Sequence, residues 1–230
     1  METLQTKINL QRLSDAIDEV SQAFGRTLDE VQKKRLLLYF SNLHQWNQSI
    51  NLTGIKDDRE LVYKHLGDTL ILDAALDKGC KTLLDIGTGA GIPGLIMKIL
   101  RPDLYVVLAE AVKKKCSFLR YMASVLNFRQ GLYIEEKKLG PSAPPENMPS
   151  TGFDAIVSQA AGSLSWLVNL SEGFLAKHGN IFALKGPKVQ RELPEAQKVA
   201  KEKGLKIEIK EYTLPILGHE RVLVIFKRAK

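Results

Sequence analysis

With 230 residues, 44% of them apolar, the chain can fill the core of one α/β domain and carry an appendage. No apolar run is long enough to span a bilayer, no signal-peptide profile opens the chain, and two cysteines cannot build a disulfide framework, which points to the cytoplasm. A net charge of +7 suits a polyanionic partner but does not require one.

The N-terminal third reads as helical. Ile8, Leu10, Leu13, Ile17, Val20 and Phe24 recur on one helical face. Thr27-Leu28-Asp29-Glu30 has the form of a capping box, opening a helix through Leu36, Phe40 and Leu43 towards Trp46. Asn51 to Gly54 breaks the pattern, and Asp57 to Glu60 starts a third helix over Leu61 to Leu76. From Lys81 onward strands alternate with helices, which predicts a doubly wound, mostly parallel sheet. Its strands are expected to end at Asp85, at Ala109 after Leu104, at Val157 after Phe153 and at Leu184 after Ile181. Residues 140–152, with four prolines, read as a surface loop; a helix from Ser163 to Lys177 is expected to end at Gly179. After a helix stopped by Gly204, Leu205 to Leu214 and Arg221 to Lys227 alternate as a terminal antiparallel hairpin. The division expected is a helical appendage over 1–77 and a cofactor-binding domain over 78–230.

Asp85-Ile86-Gly87-Thr88-Gly89-Ala90-Gly91-Ile92-Pro93-Gly94 joins the first strand to its helix. A loop that wraps a ligand closely has no room for side chains and needs positive φ at some positions. Pro93 costs nothing in a first helical turn, where N–H groups would face whatever the loop cradles. Gly89 to Gly94 also fits the dinucleotide pattern G-x-G-x-x-G. The acid before Gly87 separates the two readings. Asp85 would repel a pyrophosphate but could hold the ammonium of a methionine moiety, directly or through water. The expected cofactor is therefore S-adenosylmethionine, with an NAD-dependent oxidoreductase as the competing reading. Gly87, Gly89 and Gly91 would cradle it, Ile92 would pack against it or against the core, and Glu110 would accept from its ribose diol. Lys138 and Leu139 are candidates for its adenine side.

Lys113, Lys114 and Lys115 follow Glu110 at the carboxyl ends of the strands, where ligands bind in such sheets. The run reads as an RNA-phosphate contact or as a solvated helix face. Lys185 leaves a buried strand at the same rim and is a candidate for RNA binding and for the target site.

Several blocks in this order resemble one family: Trp46-Asn47-x-x-x-Asn51-Leu52-Thr53, Lys64-His65-Leu66-x-Asp68-Thr69, the glycine loop, Lys114-Lys115-x-x-Phe118-Leu119-Arg120 and Ala183-Leu184-Lys185-Gly186. The chain is similar, from about residue 30 onward, to the bacterial 16S rRNA guanine-N7 methyltransferases, also called glucose-inhibited division protein B. The resemblance implies a Rossmann-like class I methyltransferase, the small ribosomal subunit as partner, and methylation of N7 of one guanine, position 527 in the standard 16S count. It also places Asn51 and His65 at the border of the active cleft. His65 is then either a substrate contact or a satisfied core histidine, which Asp68 on the same helix face could orient. Two departures stand out. Ser158-Gln159-Ala160-Ala161 replaces the usual Ser-Arg, leaving Gln159 as the cofactor-side candidate, and Glu135 to Leu139 is shifted and shortened. A methyltransferase for another RNA or a small molecule, and a non-catalytic rRNA-binding factor, remain as alternatives; Gln159 favours the last.

Guanine N7 already carries an exposed lone pair, so its methylation needs no general base, and no metal is expected. The chain agrees. It lacks the (Asp/Asn)-Pro-Pro-aromatic tetrapeptide that holds an exocyclic amine and the Pro-Cys pair of carbon-5 chemistry. Cys116 reads as structural.

Overall fold

The computed structural model describes residues 9–159 and 161–228. Three helices come first: α1 (Leu10–Ala23), α2 (Glu30–Ile50) and α3 (Asp58–Ala75). On α1, Leu13, Ile17 and Val20 are buried as their spacing predicts, whereas Leu10 in the opening turn is exposed. Ile8 lies outside the described residues. The cap of α2 differs from the one expected. Asp29, not Thr27, accepts the Gln32 amide at 2.8 Å, and Gln32 Oε1 accepts the Asp29 amide at 3.0 Å. Asp-x-x-Gln pairs the same two orphan donors that Thr27 and Glu30 would have paired, two residues further on. For α3 the expected cap forms: Asp57 accepts the Glu60 amide at 2.9 Å.

The sheet holds β1 (Thr82–Ile86), β2 (Tyr105–Ala109), β3 (Leu132–Glu135), β4 (Phe153–Gln159), β5 (Leu175–Lys185), β6 (Leu205–Thr213) and β7 (Glu220–Arg228). Four helices follow strands: α4 (Gly94–Leu100), α5 (Lys113–Val125), α6 (Leu164–Ser171) and α7 (Leu193–Glu202). The order is β3-β2-β1-β4-β5-β7-β6. β1 to β5 run parallel, and β7 lies antiparallel between β5 and β6. This is the doubly wound sheet with a terminal hairpin. Strand order reverses between β1 and β4, which opens a crevice at their carboxyl ends.

β5 corrects the sequence reading. The helix expected as far as Lys177 stops at Ser171, and the strand begins at Leu175. Gly179 does not end a helix. It sits inside β5, where an added Cβ would come within 2.5 Å of the Phe153 carbonyl. The register with β4 shifts at this point, and only a glycine permits such a backbone approach.

The N-terminal helices are not a separate layer. Leu36 and Phe40 of α2 and Leu66 of α3 share one core with Ile96 of α4, Phe118 of α5 and Leu83 of β1. α6 and α7 cover the opposite face through Leu167, Val168 and Ala196. Among the described residues, no helix is long and apolar enough to cross a membrane.

Candidate functional site

The glycine loop lies over the crevice. Gly87, Gly89 and Gly91 all take positive φ, at 71°, 60° and 90°. Their surroundings differ. A Cβ on Gly91 would meet Leu95 Cβ at 2.7 Å, so this glycine faces the core. A Cβ on Gly89 would have nothing nearer than the Gly87 carbonyl at 4.0 Å. Gly89 is needed for its backbone conformation and for the open space beside it.

Asp85 lies fully buried beneath this loop. Its Oδ2 accepts Thr88 Oγ1 at 2.6 Å and the Gly94 amide at 2.8 Å, while Oδ1 has no partner. Burial raises its pKa to about 7, with the nearby charge of Glu110 adding to the rise. The carboxyl therefore shapes the loop from below, and the N–H of Gly94 is committed to it. At the end of β2, Glu110 reaches across: Oε2 accepts the Gly89 amide at 2.9 Å, and Oε1 accepts the Val112 amide at 2.8 Å.

Two cavities meet at Gly87. The larger, of ≈ 360 Å³, is bordered by Thr53, His65, Gly89, Ile92, Gln159 and Arg221, with Lys115 at its edge. The smaller, of ≈ 210 Å³, is bordered by Glu110, Lys138, Leu139 and Trp166. Together they fit a ligand with two unlike ends laid across the loop. A carboxylate among apolar walls matches a nucleoside end, and the open glycine rim matches the other. The expected residues are thereby sorted. Glu110, Lys138 and Leu139 gather on one side, and Gly89, Ile92, His65 and Gln159 on the other. Asp85, Gly91, Asn51, Lys113, Lys114 and Lys185 border neither cavity.

His65 is buried, with Nε2 at 3.4 Å from Thr53 Oγ1 and Nδ1 without a partner. Burial, assisted by the charges of Lys64 and Arg221, lowers its pKa to about 3, so the ring is neutral. Asp68 does not orient it. Instead Asp68, fully buried, accepts Gln159 Nε2 at 2.6 Å, the Tyr212 hydroxyl at 2.6 Å, and Arg221 through Nε at 3.0 Å and Nη2 at 2.7 Å. Arg221 and Tyr212 were missed by sequence reasoning. The available signal was topological: a terminal hairpin beside β5 returns its turn, and hence Arg221, to the carboxyl rim.

Lys185 is also not where a free phosphate ligand is needed. Its Nζ donates to the Gly162 carbonyl at 2.7 Å and to Glu192 Oε1 and Oε2 at 3.1 and 3.0 Å. Asn51 ends α2 in the left-handed conformation, φ 49°. Asn47 then pins the following turn, donating to Ile55 O at 2.7 Å and accepting the Thr53 amide at 2.8 Å. Lys113, Lys114 and Lys115 open α5, and none forms an ion pair within the described residues. Three cations at the positive end of a helix repel its dipole, an arrangement that an external anion would relieve. Cys116 is buried, its Sγ 3.2 Å from the Glu110 carbonyl.

Comparison with known proteins identifies the family and the fold. The family model described as rRNA small subunit methyltransferase G (GidB) matches residues 32–221. A ribosomal RNA small subunit methyltransferase G from Desulfotalea psychrophila is 39% identical, covering 90% of this chain and 94% of that protein. Another from Syntrophotalea carbinolica is 33% identical over 94% of this chain and 98% of its own length. Among solved structures, a precorrin-6y C5,15-methyltransferase from Geobacter metallireducens superimposes with a TM-score of 0.59 at 15% identity, over 77% of this chain and 98% of that one. A methyltransferase from Pyrococcus furiosus gives 0.58 at 15% identity, over 86% and 98%. At such identities the structures bear on the fold alone, a Rossmann-like class I methyltransferase. The sequence matches reach further: the chain belongs to the rRNA small subunit methyltransferase G family.

Proposed function

We propose that this enzyme transfers a methyl group from S-adenosylmethionine to N7 of one guanine of 16S rRNA, position 527 in the standard count. The observation that carries this reading is the pair of cavities on either side of Gly87, one holding Glu110 and the other open to Arg221. When bound, S-adenosylmethionine supplies an electrophilic methyl on a sulfonium. Glu110 would accept from the ribose diol, with Leu139 and Trp166 walling the adenine and Lys138 at its edge. Gly87 and Gly89 leave room for the chain that carries the sulfur.

Beyond the glycine rim, the part of the larger cavity towards His65 and Arg221 receives the guanine. Its border carries Lys64, Lys115 and Arg221, no carboxylate, and a neutral His65. That suits a base whose reacting atom already holds a free lone pair and gives up no proton. The chain's task is then to position the base and exclude water. Lys113 and Lys114, outside the cavity, would meet the phosphates of the same RNA.

Tritium transfer to small ribosomal subunits lacking the modification tests the reading, alongside titration with S-adenosylhomocysteine. Tight binding with transfer to a single guanine is expected. Binding without transfer would make the chain an rRNA-binding factor, and transfer to other molecules only would move the substrate.

A further inference from the structure

We propose that Asp68 is a positioning residue for methyl transfer, fixing Arg221 so that its remaining nitrogen, Nη1, is presented to the bound guanine. This rests on the guanine reading above. The carboxylate and guanidinium form a forked pair at 2.7 and 3.0 Å, with Asp68 fully buried and the Arg221 side chain 14% exposed. Tyr212 and Gln159 take up the rest of the carboxylate's accepting capacity, so the fork is held from four directions across α3, β4, β6 and β7. Within the described residues Nη1 makes no hydrogen bond, and Arg221 borders the larger cavity.

A buried ion pair of this kind gives little net stability, because both charges must be desolvated. What it does give is a donor of fixed direction. Guanine presents O6 and N7 along one edge, and an arginine with a free fork binds both. Binding N7 would occupy the lone pair that must attack. An arginine whose Nε–Nη2 edge is held by Asp68 has its plane and direction fixed, so that Nη1 can be aimed at O6 with N7 left open. The N7 lone pair then forms the new N–C bond as the S–C pair returns to sulfur, and the positive charge passes to the guanine ring. Asp68 touches neither reactant in this arrangement and acts through Arg221.

The test is a double-mutant cycle in single-turnover methylation of small subunits, with S-adenosylhomocysteine affinity measured on each variant. Asp68→Asn should lower the rate roughly 10- to 100-fold, the scale of a misplaced reactant, and leave cofactor affinity within about twofold. In an Arg221→Ala background the same change should cost nothing further. Should Asp68→Asn fail to fold, Arg221→Lys reads the same geometry. It keeps the charge but loses the fork, and its rate should fall at least about tenfold with cofactor affinity unchanged. Losses that multiply in the double variant, or a full rate for Arg221→Lys, would overturn the inference and leave the function standing. A wild-type enzyme that transfers nothing to the rRNA guanine would overturn both.

Discussion

Glu110 and Gly89 form one unit: the acid that ends β2 accepts, at 2.9 Å, the amide of the middle glycine in the loop after β1. The carboxylate proposed to bind the ribose thus also sets the conformation of the rim beside it. Glu110→Ala should weaken S-adenosylhomocysteine binding by about 1–3 kcal/mol, the cost of losing charge-assisted bonds. Calorimetric titration checks this, and equal affinity in the variant would move the ribose acid elsewhere.

Gly89→Val should abolish cofactor binding while the chain still folds. The strain of a β-branched residue at φ 60° costs on the order of 1–3 kcal/mol, and the open surroundings add no steric clash with the protein itself. Melting curves should therefore show a modest loss of stability beside a complete loss of binding. Retained affinity would exclude the loop as the cradle.

Asp85 and His65 make opposite contributions to the pH dependence of stability. Asp85, raised to about 7, holds a proton that the unfolded chain releases near 4, so its contribution falls as pH rises through that window. His65, lowered to about 3, lacks a proton that the unfolded chain binds below about 6.5, so its contribution rises across nearly the same window. In the wild type the two slopes largely cancel. Asp85→Asn should make stability rise with pH, and His65→Gln should make it fall, each by about 1.4 kcal/mol per pH unit relative to wild type between pH 4 and 6.5. Denaturant titrations across that range check both signs, and parallel curves for all three proteins would refute the assignment.

Lys113→Ala with Lys114→Ala should flatten the salt dependence of rRNA affinity by about one to two units of slope, because fewer counterions are released. Both residues lie outside the cavities, so cofactor affinity should not change. An unchanged slope would return the run to a solvated helix face.

The parts of this molecule that depend on near neighbours could be read from sequence. Alternating glycines announce a loop with positive φ, and Asp57 with Glu60 announces a helix start. The cap of α2 was misplaced by two residues because Thr27-x-x-Glu30 and Asp29-x-x-Gln32 are equally good boxes. β5 was shortened because Gly179 looks like a helix stop until the Phe153 backbone is seen beside it. Lys185 was a candidate for the target site because its strand ends at the rim, and its partner, Glu192, lies beyond the strand in a separate turn. Asp68 was paired with its helix neighbour His65, whereas its actual donors come from 91, 144 and 153 positions away. Spacing rules cannot reach that far.

The distance between Asp68 and Arg221 also bears on when the enzyme becomes competent. Synthesis delivers α3 well before β7, so a growing chain holds a carboxylate destined for burial long before its counterion exists. The glycine loop and Glu110 are complete well before then. A chain truncated ahead of β7 would leave an edge of β5 unpaired and an acid uncompensated, two reasons for it not to reach a compact state. Pairing of β7 with β5 thus supplies both the cover for that edge and the counterion of Asp68 in one step.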